Sequence, residues 1–146
     1  MPRHARSLTS KTSLSSFCAA RFPSNVTTRP DGSKTDTYGP NPKAIAMFQK
    51  DGRMVVMTAR SDLPKFASGS RATGTPEENK AVVQGSIAYF GSYTVDEKAG
   101  TVIHHRHDNL QPGEGGDLVR RYEFAGDRLV LRPPNSTMEV TWERIK

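Results

Sequence analysis

The pair Asp51-Gly52 lies between two apolar-rich runs of strand length, residues 44–50 and 53–60, and constrains this chain more than any other feature. Asp-Gly in that setting predicts a β-hairpin whose two turn positions both take positive φ. Along the second arm the side chains alternate, so Met54, Val56, Thr58 and Arg60 share one face and Arg53, Val55, Met57 and Ala59 the other. Both faces carry bulky apolar groups, and a strand of that kind belongs in a sheet covered on both faces or closed on itself.

The neighbouring stretches repeat the strand-and-turn pattern. Pro30-Asp31-Gly32-Ser33 predicts a second hairpin between strands at 25–29 and 34–38, and Gly39-Pro40-Asn41-Pro42 breaks regular structure before the first. A loop follows at 61–75. Thr75-Pro76-Glu77-Glu78 then combines an N-cap, a proline at the first helical position and a glutamate three residues after the cap. It predicts one helix over 76–89 with a stripe of Ala81, Val82, Ile87 and Ala88, weakened at Gly85. Strands are expected at 90–96, 101–107, 118–124, 128–132 and 138–145, separated by short turn signals. The fold class is mainly β: a small antiparallel up-and-down barrel of about eight strands, with an interior that can hold one small ligand.

Composition bounds the partners. The 146 residues fit one domain. The single cysteine, Cys18, excludes an internal disulfide and a cysteine-based zinc site, and no apolar run reaches the length that spans a bilayer. No cofactor is expected, no integral membrane segment, and a cytoplasmic location by default. The net charge of +6 is concentrated at one end: residues 1–30 hold five basic residues and no acid. Residues 1–24 therefore read as a disordered or loosely attached basic Ser/Thr-rich arm, with an organellar transit peptide as the second reading, and 25–146 as the domain. The nearly neutral domain lacks the clustered cationic face that nucleic acid requires.

Residues 26–146, strongly over 38–105 and loosely beyond, resemble the bacterial lipocalin-like domain family of calycin-type barrels. The resemblance is carried by Tyr38-Gly39-Pro40, Asp51-Gly52-Arg53-Met54, Arg60 with Pro64 and Phe66, Gly74-Thr75-Pro76-Glu77-Glu78, Ala88-Tyr89-Phe90-Gly91 with Tyr93, and His104-His105. It implies a barrel that binds a small hydrophobic or amphipathic molecule. The chain departs from the family at its start, where residues 1–24 hold no Gly-Thr-Trp type strand, so the first strand is expected to be missing or atypical. An unclosed wall would make an edge-to-edge homodimer plausible. Residues 108–117 are richer in glycine and acid than the family's corresponding loop.

Candidate ligand contacts are Arg60, which could clamp a ligand carboxylate or pair with Asp62 or Glu123, and His105, read as the inward histidine of the His104, His105, His107 cluster. Tyr93, Met54, Val56 and Arg121 complete the expected pocket, with Arg121 and Glu123 also able to pair across strands and Trp142 read as a core plug. No metal site is expected, because the histidines lack further ligands at a suitable spacing. The function expected is binding of a small, largely apolar molecule without catalysis. The alternatives are an isomerase or cyclase using His105 or Tyr93 as acid–base against Arg60, and a partner-binding β module using the basic arm.

Overall fold

The computed structural model describes Leu14 and residues 20–146, with side chains from residue 24 onward in the first strand. Nine strands follow in chain order: β1 (Ala20–Thr28), β2 (Lys34–Asp36), β3 (Lys43–Phe48), β4 (Arg53–Ala59), β5 (Ser86–Asp96), β6 (Thr101–Asn109), β7 (Gly116–Ala125), β8 (Arg128–Arg132) and β9 (Met138–Arg144). A single α-helix, α1 (Pro76–Gln84), lies between β4 and β5 among the described residues. From β3 to β9 each strand pairs antiparallel with the next. β1 pairs with β9 over most of its length and with β3 at Ala20↔Ala46, so the pairings return to their start and β2 hangs from β1 as an extra ribbon.

The opening strand is thus present, and it is atypical. It begins at Ala20, inside the segment expected to be a loose arm, and its register with β9 shifts between Arg21 and Ser24. Pro23, which has no N–H to give to a ladder, falls in that shift. Leu14 is buried in the core at 3 % exposure. The remainder of the arm, including Cys18, lies outside the described residues.

Both predicted hairpins form, the one at Asp51-Gly52 with a different turn from the one expected. Gly52 has φ +86, whereas Asp51 keeps a negative φ; Gly52 N–H donates to Gln49 O at 3.0 Å and Gln49 N–H to Arg53 O at 2.8 Å. This is a three-residue connection in which glycine alone supplies the left-handed residue. The aspartate contributes through its side chain instead. Its carboxylate accepts from Arg53 N–H at 3.1 Å and from Arg53 Nε at 2.8 Å. Asp31 does the same for Ser33 N–H at 2.9 Å, beside Gly32 at φ +83.

The capping box forms as read. Thr75 Oγ1 accepts from Glu78 N–H at 3.2 Å and Glu78 accepts from Thr75 N–H at 2.8 Å, while its other oxygen accepts from Ala67 N–H at 2.9 Å and ties the loop to the helix. The helix ends earlier than predicted, at Gln84. Gly85 breaks it, and Ser86 starts β5 four residues before the strand was expected. Ile87 and Ala88, assigned to a helical stripe, belong to that strand. None of the residues of α1 is buried, and Val83 is 62 % exposed.

The wall is a single layer with one buried face. In β4, Met54, Val56 and Thr58 are buried and Val55 and Met57 exposed; period-2 alternation sorts the other strands the same way. Ala46, Phe48, Met54, Tyr93, Val102, Leu129 and Trp142 join Leu14 in the core. The outer face keeps Met47, Val55, Met57 and Phe90 exposed, so the apolar character of both faces reflects a wall curled on itself rather than one covered on both sides. β1 pairs with β9 over most of its length, so the wall is not left open there as a missing first strand would have left it.

β5 and β6 change register between Phe90 and Gly91. The bulge presses the two backbones together: a methyl group at Gly91 would collide with the carbonyl oxygen of His105 and stand 2.9 Å from the backbone nitrogen of His107. Gly91→Ala is expected to destabilise the fold by about 3 kcal/mol or more, because the obstacle is backbone and cannot rotate away. Gly115→Ala, which meets nothing within 4 Å, is expected to stay within about 0.5 kcal/mol; urea unfolding of the two variants measures the contrast.

Candidate functional site

The inward faces of β4 to β9 do not fill the barrel. Between them and β1–β2 lies a half-enclosed cavity of about 180 Å³. Val56, Ile87, Leu118, Leu131, Val140 and Trp142 make its apolar wall. Its polar lining is Asn25, Tyr38, Thr58, Tyr89, His104 and Arg120.

Strand parity places all of these polar groups except Tyr38, which sits in the turn after β2. On β6, Val102 and His104 face inward and His105 outward; on β7, Leu118 and Arg120 face the cavity and Val119 and Arg121 the outside. His104 is 3 % exposed. Its Nδ1 lies 3.2 Å from the Tyr89 hydroxyl, its ring packs 5.5 Å from Phe48, and its Nε2 is buried with no partner among the described residues. Burial pushes its pKa down to about 4, with the cations Arg120 and Arg106 adding to the effect, so the imidazole is neutral at physiological pH. The same desolvation raises the Tyr89 phenol to about 12, partly offset by Arg120 and Arg106, and keeps it a hydrogen donor.

Arg120 carries charge into this lining. Burial pulls its guanidinium below the ordinary value; Tyr89 opposes that pull and Arg106 adds to it. Arg106 is anchored beside the site, donating from Nε to Gly116 O at 2.9 Å and from Nη2 to Gly115 O at 2.6 Å, with its guanidinium 5.8 Å over the Tyr89 ring.

Of the residues expected to form the pocket, Val56 lines the cavity and Met54 is core below it. The others do not converge. Arg60 donates to both carboxylate oxygens of Asp62, at 2.8 and 2.7 Å, in a separate groove against Leu63, Ala81 and Gly85. His105 points outward, its Nδ1 3.0 Å from Asp117 and its Nε2 2.9 Å from Thr94 Oγ1. Tyr93 is inward but committed to the core: its hydroxyl donates to Gln49 O at 2.7 Å and its ring stands edge-on to Phe48 at 5.3 Å. Arg121 is exposed opposite Arg132, and Glu123 pairs with Arg132 at 3.0 Å instead of with Arg121. Trp142 is buried as expected and also lines the cavity. Among the described residues no group of three metal-ligating side chains occurs, and no helix is long and apolar enough to cross a membrane.

The sequence reading missed His104, Arg120, Tyr89, Tyr38 and Asn25. For Arg120 a signal existed: Leu118, Tyr122 and Phe124 share its parity, whereas Arg121 shares that of Val119 and Glu123. For His104 the signal was balanced, because Val102 and Ile103 are apolar on opposite faces.

Residues 23–145 match the family model described as a lipocalin-like domain. No curated protein matches the chain.

His104 makes stability pH-dependent. Between its ordinary value of 6.5 and about 4 the unfolded chain binds a proton that the folded chain refuses. The stability is therefore complete above about pH 6.5 and drains away as pH falls toward 4, by up to about 3 kcal/mol. Chemical unfolding at about pH 7 and about pH 4.5 is expected to show this loss, and His104→Gln to remove most of its pH-dependent part.

Proposed function

We propose that this chain, which belongs to the lipocalin-like domain family, binds a small, largely apolar molecule in the interior cavity. The observation that carries the reading is the cavity itself: a mostly apolar pocket on the inward face, into which a few polar groups converge. On two of the lining residues, His104 Nε2 and Asn25 Oδ1 are buried without partners among the described residues. A buried polar atom with no partner costs about 1–3 kcal/mol, which a ligand's polar end can recover.

The volume limits what enters. An apolar cavity of about 150 Å³ holds benzene, so about 180 Å³ accepts one ring or a short branched chain, with a polar end toward His104 and Arg120. The acid–base set expected for an isomerase or cyclase is dispersed, with His105 outside, Tyr93 in the core and Arg60 bound to Asp62. Binding without catalysis is the reading these positions support.

Trp142 is the chain's single tryptophan and lines the cavity, so its emission reports occupancy. Titration with benzyl alcohol is expected to shift or quench that emission saturably. Leu118→Phe, which fills part of the cavity, is expected to weaken binding about tenfold or more, equivalent to about 1.4 kcal/mol, with the far-ultraviolet dichroism unchanged. Unaltered affinity in the folded variant would place the ligand elsewhere.

A further inference from the structure

We propose that the ligand is an acid, its carboxylate held by Arg120 while its apolar body occupies the cavity. This deepens the cavity-binding reading above and rests on it.

The first observation is a charge without a counter-charge. Arg120 lines the cavity, and among the described residues no carboxylate lies within ion-pair distance of its guanidinium; the exposed arginines Arg53, Arg60 and Arg132 each have one. Its hydrogen bond runs from Nη1 to the carbonyl of its own neighbour Val119 at 2.9 Å. A guanidinium has five N–H donors in a planar fork, so an arm remains to meet a planar, two-oxygen acceptor. Drawing a cation out of water toward an apolar wall is costly unless an anion joins it. Arg106 stands near enough to act on Arg120, Tyr89 and His104, and it too has no carboxylate partner among the described residues. Two of its donors go to backbone carbonyls and it does not line the cavity, so it supplies field rather than contact. Glu114 acts on Tyr38 in this lining and not on Arg120.

The second observation is the orphaned nitrogen. In the tautomer in which Tyr89 donates its hydroxyl hydrogen to Nδ1, His104 carries its hydrogen on Nε2, a buried nitrogen of a cavity-lining residue with no partner among the described residues. A carboxylate can accept from Arg120 with one oxygen and from a neutral donor with the other. Asn25 also lines the cavity, and its Oδ1, without a partner among the described residues, suits a hydroxyl on the acid. The apolar remainder of the lining and the small volume favour a monocarboxylate over a phosphate, whose double charge and larger hydration shell this wall would strip without return.

The test compares acids with alcohols of the same length, butyrate to decanoate and benzoate against benzyl alcohol. They are titrated into the full chain at neutral pH and low salt, and read by Trp142 emission and calorimetry. The expected result is that the best acid binds about tenfold or more tightly than its alcohol. Arg120→Met is expected to abolish that preference, whereas Arg121→Met, on the outer face, is expected to preserve it. Equal affinity for acid and alcohol in the unaltered chain overturns the inference and leaves the cavity reading standing. Binding of neither series overturns both. Loss of the preference in Arg121→Met as well assigns it to net charge and overturns Arg120's role. If Arg120→Met does not fold, the acid–alcohol comparison in the unaltered chain and in Arg121→Met decides the matter.

Discussion

β1 gives and takes backbone hydrogen bonds on both of its edges, to β9 along most of its length and to β3 at Ala20↔Ala46, and the interior exists because of that double pairing. A sheet with free ends must cover its apolar face with another layer, and the one helix among the described residues, α1, buries none of its own residues. Bending the sheet until its first strand meets its last replaces the second layer by the sheet's own opposite wall. What looks in the sequence like an excess of apolar residues on both sides of β4 is the result: Met54 and Val56 face that opposite wall, and Val55 and Met57 are left outside.

The curled wall then divides its interior into two electrostatic regimes. One part is packed by the apolar side chains of Phe48, Met54, Val102 and Leu129. The other holds His104, Tyr89 and Arg120 around unfilled space. Burial acts there on all three in the direction that favours the uncharged form, and the imidazole and phenol comply, while a guanidinium starts too high to lose its proton. The result is two neutral hydrogen-bonding groups beside one fixed cation.

Most of the wall was legible because its turns are written in residues with few alternatives. Asp31-Gly32 and Asp51-Gly52 each place glycine at positive φ and an aspartate where it caps the following N–H, and every strand expected between turn signals is found. The helix end was misread for a reason of periodicity. Ile87 and Ala88 fit a helical stripe as well as a strand, and Gly85 carried the deciding information through a close approach to Leu63 that sequence does not display. The site was misread because inward and outward differ by one residue. A single parity error on β6 moves the interior histidine from His104 to His105, and another on β7 moves the interior arginine from Arg120 to Arg121. Arg60 was misassigned differently: its partner Asp62 is two residues away, and local pairing won over a longer reach into the pocket.

The matched family span begins at residue 23, but the fold's boundary lies earlier. Ala20 carries the register pair that joins β1 to β3, and Leu14, further upstream, is part of the core. A chain trimmed to the matched span would keep every turn, the helix and the whole cavity lining, yet lose the last backbone clasp between its first wall and its third, together with a packed side chain. Homology would judge such a fragment whole; its hydrogen-bond ladder would be unbuttoned at one place, and the strand edge uncovered there belongs to β3, beside the exposed Met47.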